Sequence, residues 1–527
     1  MEKIEVVRAA TADTSTRAIA GTINIILKRA ASKGRREWKA GYGHSPGMGE
    51  GKASLNLSKR DGKLSYSVAA NASRNTFRRP VLTTEWGKDG AGQPLYQHAL
   101  RGADVGNFNT FNLTPSMNWE LDNGDKLGWD SFVYLNRLHY DSRYLTEYLA
   151  GAPRIDPATR GVTLSSRATT RSDPAWTHQL GNSAKREARV GFDAGTYSNE
   201  LGQQSQAASG VLAQDRFVDG LARDRVLRSR GKYTGQAGAA HVVGFGWETS
   251  AARNTNDRNQ ADFGAASTAE RYRANVALLA LYAQDEWTVS PQWSLYFGAR
   301  WEGIRIDSSG GDFPPGEHRG SVFSPLLHTL YKLPGNGGDQ LRLALTRTYK
   351  APEAAKLVPR RTLTLNNSAS NPDSIGNPDL GPELALGIDG SYEHRWAKDA
   401  LFSVSAAARR IDDCTVQELR QESQATGQGA GRWVQRPRNG GRCDVRTVEL
   451  ETRFPLQTVA AGAPPLDLRF SVGRNWSRVQ DIPGPANRLA EQVPLSISAG
   501  VDYKAGALTT GGAFVFKRGG QVRLSQK

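Results

Sequence analysis

Segments of about ten residues in which apolar and polar side chains alternate recur along most of this chain, and no other feature restricts its fold as strongly. Leu295, Phe297, Ala299 and Trp301 alternate with Ser294, Tyr296, Gly298 and Arg300. Ala53, Leu55 and Leu57, then Leu341, Leu343 and Leu345, then Val448, Leu450 and Phe454, and finally Leu495, Ile497, Ala499, Val501 and Tyr503 repeat the pattern. Period two puts each set on one face of a β-strand. The longest nearly unbroken apolar run, Val276 to Ala283, falls far short of the roughly 20 residues a membrane-spanning helix needs, which excludes a helical membrane protein. A mean hydropathy of −0.54 fits a soluble β-sandwich and a transmembrane barrel alike, because barrel strands show lipid only one face. The length of 527 residues allows three or four ordinary domains or one large barrel.

The connections separate these folds. Short turn signals such as Arg60-Asp61-Gly62, Asp122-Asn123-Gly124-Asp125 and Ser290-Pro291-Gln292 join some segments. Long polar stretches, roughly Asp141 to Asn182, Asn254 to Arg271, Ser308 to Gly320, Ala351 to Pro382 and Thr415 to Arg442, separate others and are expected to be loops. Short turns alternating with long loops predict a barrel with two unlike rims. Trp38, Tyr42, Trp119, Trp129, Trp287, Trp293, Trp396 and Trp476 stand near predicted strand ends, where aromatic girdles belong. Core residues of a sandwich are the alternative for them.

The net charge of +16 raises the question of nucleic acid. The 68 basic residues are scattered singly or in pairs such as Arg78-Arg79 and Arg409-Arg410, with no basic helix or recognisable nucleic-acid module, so none is expected as a partner. Arginines in loops and lumen suit the phosphates of lipopolysaccharide or an anionic ligand, and plain solvated surface accounts for them equally well. The two cysteines, Cys414 and Cys443, flank one polar segment and fit a loop clasp of an oxidising compartment, with two unrelated thiols as the alternative. No Cys or His pair has metal-ligand spacing beside them. No Gly-rich phosphate loop, nucleophile elbow or His cluster is present, so neither catalysis nor a cofactor is expected.

Near the N-terminus, apolar runs at Ile4–Val7 and Ile23–Leu27 flank a small-residue stretch, a pattern of strand, connection and strand. Ile4-Glu5-Val6-Val7-Arg8, followed by Ala18-Ile19-Ala20-Gly21-Thr22-Ile23-Asn24-Ile25-Ile26, resembles the end of the plug domain of TonB-dependent outer-membrane receptors, with Ala9 where the family usually has glycine. Tyr282-Ala283-Gln284-Asp285-Glu286-Trp287 with Ser294 to Trp301 resembles a strand pair of that family. Tyr349-Lys350-Ala351-Pro352-Glu353 resembles its F-R-A-P element, and Asn377-Pro378-Asp379-Leu380-Gly381-Pro382-Glu383 its N-P-D-L-K-P-E string. All four occur in the family's order.

The resemblance implies an all-β, transmembrane antiparallel barrel, 22-stranded in the family, with about eighteen strands countable here. Residues 1–30 would be a C-terminal remnant of the plug and residues 31–527 an incomplete barrel. The segment that TonB grips, a closing aromatic-ended strand and a secretory signal are not found, so the expectation is a reading frame that starts within a longer one. The implied activity is energised uptake of a scarce nutrient, first of all a ferric siderophore, at the bacterial outer membrane among lipid and lipopolysaccharide, with TonB as partner. The alternatives are a passive porin or adhesin barrel, an inactive gene fragment, or a soluble glycan-binding β-protein. Arg8 would be the plug arginine facing barrel carboxylates, and Asp389 stands where the family often has glutamate, so the two are expected to pair. Tyr144, Tyr148, Trp176, Arg432 and Trp433 are the candidate ligand contacts in the long loops, because aromatic rings and guanidinium groups suit an anionic aromatic chelate.

Overall fold

The computed structural model describes the whole chain except residues 1–2, 8–9, 18–21, 27–33, 89–90, 152–155, 182, 263–266, 312–314, 336–337, 365–366, 370, 423–430, 486 and 521–527. The N-terminal apolar runs form an antiparallel hairpin of β1 (Lys3–Val7) and β2 (Thr22–Ile26). The barrel begins with β3 (Arg35–Ser45), β4 (Met48–Asp61), β5 (Leu64–Lys88), β6 (Pro94–Glu120), β7 (Lys126–Ala150), β8 (Ala158–Leu180) and β9 (Ala184–Gln206). It continues through β10 (Leu212–Ala237), β11 (His241–Asp262), β12 (Thr268–Thr288), β13 (Trp293–Gly310), β14 (Gly316–Lys332) and β15 (Gln340–Lys350). A one-turn helix, α1 (Ala354–Leu357), and the short strands β16 (Arg361–Thr362) and β17 (Asp373–Ile375) follow, before β18 (Glu383–Ala397) and β19 (Ala400–Asp412) rejoin the barrel. After β20 (Thr415–Glu422) and β21 (Arg432–Asn439), the wall ends in β22 (Cys443–Pro455), β23 (Leu466–Val479), β24 (Leu495–Ala505) and β25 (Leu508–Lys517).

Nineteen strands therefore stand in barrel order against the eighteen or so counted from the sequence. Eighteen of the seams carry antiparallel ladders between chain neighbours. At the nineteenth, β3 and β25 are neighbours without a ladder among the described residues. In a meander of odd strand number the first and last strands run parallel, whereas bacterial outer-membrane barrels are even-numbered and close antiparallel. The two strands are correspondingly bare: Trp38 is 79% exposed, Tyr42 77% and Val515 65%.

The long polar stretches are not loops for most of their length. The stretch from Asp141 to Asn182 is the upper part of β7 and most of β8, with only residues 151–157 between them. Asn254 to Arg271 and Ser308 to Gly320 likewise belong mainly to β11–β12 and β13–β14. A strand whose faces meet only water needs no apolar alternation, so polarity does not end pairing there. The connections from β15 to β18 and from β19 to β22 do leave the barrel, and they combine into one four-stranded sheet in the order β16-β17-β21-β20.

Alternation sorts the wall into two faces. On β13, Tyr296, Arg300, Glu302 and Ile306 are buried, while Trp293, Phe297 and Trp301 on the other face are exposed. Leu279 and Leu281 of β12, Phe323 and Leu327 of β14, Leu341, Leu343 and Leu345 of β15, and Leu386 and Ile388 of β18 extend that outer apolar band. Trp119, Trp129, Trp293 and Trp396 lie at the short-turn rim as a girdle requires.

Cys414 and Cys443 are bonded, with Cα atoms 6.1 Å apart, and pack with Ala385, Ile411, Val416, Val479 and Ile482. The bond closes a loop with a sequence separation of 29, worth about 3–4 kcal/mol in the chain-entropy account. Replacing both cysteines by serine is expected to speed tryptic cleavage between residues 413 and 442, leaving the cleavage rate of the barrel strands unchanged.

Candidate functional site

The residues between β1 and β2 carry the contacts that matter most. Thr11 and Thr14 make a tight turn, with Thr14 N–H donating to Thr11 O at 3.1 Å. The turn presents Ala12, Asp13 and Thr16 to the inner wall. Ala12 is fully buried: its N–H donates to the Tyr296 hydroxyl at 2.6 Å, and its carbonyl accepts from Arg300 Nη1 at 3.2 Å. This approach requires Gly298, where an added Cβ would stand 2.8 Å from the Tyr296 hydroxyl oxygen and 3.0 Å from Ala12 Cβ. Thr16 Oγ1 donates to Glu302 Oε2 at 2.8 Å and lies 3.1 Å from Ser324 Oγ. Tyr349 N–H donates to Thr16 O at 3.0 Å, and Lys232 Nζ to Asp13 Oδ2 at 2.6 Å. Ala10 and Ala12 complete an apolar patch with Tyr282, Tyr296 and Leu326.

Arg300 is the centre of this arrangement. Its side chain has no exposure, and its guanidinium donates to Glu248 at 2.8 Å, to Glu302 at 3.0 Å and to the Ala12 carbonyl. The carboxylates stand on different strands, β11 and β13, so a planar five-donor cation can serve both and still reach the docked segment. Arg300 lies within the Ser294 to Trp301 motif, and Glu302 lies one residue beyond it. Two ionisable groups at a period-two spacing on a strand whose inner face is otherwise uncharged are the available signal.

Asp389 lies on β18, where its Oδ1 accepts from Arg409 Nη2 at 2.8 Å. Arg8, its expected partner, lies outside the described residues. Tyr144 and Tyr148 sit on β7 rather than in a loop, and the Tyr144 hydroxyl hydrogen-bonds Asp104. Below them on the same face, Phe77, Phe108 and Tyr140 form a cluster with ring centroids 6.3 Å apart. Trp176 is also on a strand, and at the opposite rim from the other candidates. Its Nε1–H donates to Asp125 in a short turn at 2.9 Å, and it stacks on His178, which also binds Asp125. Those two hydrogen bonds, His178 first, hold the Asp125 carboxyl below its ordinary pKa.

Arg432 and Trp433 begin β21 in the rim sheet. There Asp373 is completely buried and accepts from Arg432 Nη2 at 2.7 Å, Arg361 Nη2 at 3.0 Å and the Thr364 N–H at 2.9 Å. Trp433 is tied through its backbone to the Asn367 side chain. The string Asn377 to Glu383 fastens the two connections together: Asn377 Nδ2 donates to Pro437 O at 3.0 Å, Asn439 Nδ2 to Gly381 O at 3.1 Å, and the Thr415 N–H to Glu383 Oε1 at 3.1 Å. Leu357 and Leu380 then pack on Ile306 of the inner wall, and Arg360 binds Glu270 of β12 at 2.7 Å. The rim sheet is thereby seated on the mouth of the barrel.

Burial raises the Asp373 carboxyl, and the Arg432, Thr364 and Arg361 hydrogen bonds outweigh it, bringing the pKa down to about 2. A carboxylate with a lowered folded pKa stabilises above its unfolded value near 4 and ceases to do so as pH falls through about 2. Asp373→Asn is therefore expected to loosen the rim sheet by about 2 kcal/mol at neutral pH. The difference from the native chain should shrink between pH 4 and pH 2, as read by amide hydrogen exchange of β17 and β21.

The chain matches the family model "TonB dependent receptor-like, beta-barrel" over residues 54–526. No curated protein sequence matches it. Among solved structures it is similar to the copper transporter OprC, at 12% identity and a TM-score of 0.63 over 97% of this chain and 71% of that one. A variant of the ferric enterobactin receptor PfeA from Pseudomonas aeruginosa aligns at 15% identity and 0.63 over 98% and 72%. The alcaligin outer-membrane receptor FauA from Bordetella pertussis aligns at 16% and 0.59 over 98% and 74%. With its strand meander, its short-turn rim and a family match over most of its length, this chain belongs to the TonB-dependent receptor family.

Proposed function

We propose that this chain takes up a scarce nutrient across the outer membrane, with a ferric siderophore as the favoured cargo, and that Ala10–Arg17 belongs to a plug released when TonB pulls on it. The observation that carries this reading is the polar fastening of the segment to Arg300, Glu302, Lys232 and Tyr296. A passive porin has no use for a segment held against its inner wall by contacts that water can replace. The apolar outer band speaks against a soluble glycan-binding protein. Two of the three similar structures named above are a ferric enterobactin receptor and an alcaligin receptor, which favours a ferric chelate over bare copper.

In this reading Tyr144, Tyr148, Arg432 and Trp433 lie on the side from which ligand arrives, and Trp176 is assigned to the aromatic girdle at the other rim. Phe77, Phe108 and Tyr140 supply a stacking surface on the wall below Tyr144. The proposed pairing of Arg8 with Asp389 would add a second ionic fastening, in exchange with Arg409. The chemistry is recognition and release, with no bond made.

A strain lacking its own receptors but expressing this chain within a full-length receptor, with a secretory signal, a TonB-gripping segment and closing strands supplied, is expected to grow under iron restriction on at least one ferric siderophore from a panel of catecholate, hydroxamate and citrate types. Growth that persists without TonB would overturn the reading. Thr16→Val removes the hydroxyl donor to Glu302, at a cost to the docked state of about 1–3 kcal/mol. It is expected to raise leakage of a bulky antibiotic while heat-modifiable gel migration stays native.

A further inference from the structure

The outer wall carries a groove that the uptake reading does not use. Ala283, Ala299 and Pro325 lie side by side across β12, β13 and β14. One step nearer the short turns are Phe297 and Leu327, and one step above are Trp301 and Phe323. Three small residues lie between an upper row of Trp301 and Phe323 and a lower row of Phe297 and Leu327 that ends in Asp285 at β12, leaving a trough open to the outside that runs on between Leu345, Leu386 and Arg347. Crossing from β12 to β15 covers about 14 Å, the length scale of a fatty acyl chain.

The trough slants through the apolar band. At β12 it lies low, with Leu279 and Leu281 above it. At β15 it reaches the end of the row Leu341, Leu343 and Leu345, where the next residue on that face is Arg347. The β14–β15 ladder stops at Leu326 with Thr346, just below this point. Arg347 Nη1 caps the Phe323 carbonyl at 2.5 Å. Among the described residues no carboxylate pairs with Arg347, and a guanidinium has five N–H donors in a planar fork that matches a phosphate. An uncompensated cation at the edge of an apolar band, heading an acyl-sized trough, is complementary to a lipid with a phosphorylated head group.

We propose that this groove is a binding site for a phosphorylated lipid of the outer leaflet, of the lipid A class, with one acyl chain along Ala283, Ala299 and Pro325 and a phosphate on Arg347. The site rests on the membrane reading of the outer face and is independent of which nutrient the lumen carries. It would seal the wall where the β14–β15 ladder ends, next to the strand whose Tyr349 N–H holds the docked segment.

The full chain, folded in dodecyl maltoside micelles and incubated with purified lipid A, is expected to retain it in native mass spectrometry. Retention of dephosphorylated lipid A should be about tenfold weaker, the effect of losing a charge-assisted hydrogen bond. Arg347→Gln should weaken retention of intact lipid A by a similar factor, and Ala299→Phe, which fills the trough, should weaken both lipids. The comparison of the two lipids on the unaltered chain needs no variant to fold. Equal retention of both lipids, or retention of inorganic phosphate alone, overturns the site. Failure of the folded chain to enter lipid bilayers of any composition would instead overturn the membrane reading beneath it.

Discussion

Within hydrocarbon every peptide N–H and C=O must find a partner in the protein, because each one left unpaired costs several kcal/mol. Continuous ladders meet that demand at eighteen seams of this wall, and the remaining features are placed by them. Period-two alternation then divides each strand into an outer side and a lumen side, so one sequence pattern yields both the outer band of Leu279, Leu281, Phe297 and Leu343 and the inner constellation of Tyr296, Arg300 and Glu302. The exception follows from the same rule. Nineteen strands bring β3 and β25 together in parallel sense and, among the described residues, without a ladder, and their side chains are the most exposed of the barrel.

Above the band the constraint relaxes, and this limited what the sequence could disclose. The alternating segments, the hairpin from Lys3 to Ile26, the short turns and the cysteine clasp were all legible, since each rests on local periodicity or turn chemistry. The upper parts of β7, β8, β11 and β12 were not, because water satisfies both faces of a strand there and removes the apolar signature. By sequence, Tyr144 and Trp176 fall in one long polar stretch. In the structure they stand on neighbouring strands near opposite rims, and the polar run between them conceals a complete strand reversal.

The candidate site was half legible for a different reason. Family strings located the strand that bears Arg300 and the element from Asn377 to Glu383, but a string does not say what its residues touch. Arg300 reaches the Ala12 carbonyl across 288 positions of sequence, and Asn377 reaches Pro437 across 60. Such contacts depend on barrel register and on how two connections fold over the mouth. The burial of Asp373 is equally non-local, since its two guanidinium partners come from different connections.

The character of the inner contacts bears on how a docked segment can be both held and released. Arg300 and Glu302 bind each other directly, and the pair remains intact if Ala10–Arg17 departs. What is lost is one carbonyl acceptor, one hydroxyl donor, the Tyr296 bond, the Tyr349 N–H bond to the Thr16 carbonyl and the Lys232–Asp13 ion pair, all facing a lumen that water can enter. Each hydrogen bond exchanged for one to water contributes only about 1 kcal/mol net. An apolar interface of similar extent would expose its whole area on release, at about 25 cal/mol per Å². A wall that keeps its Arg300–Glu302 pair and offers mainly polar contacts can therefore hold the segment specifically, through geometry, while leaving a modest free-energy step to whatever pulls it away.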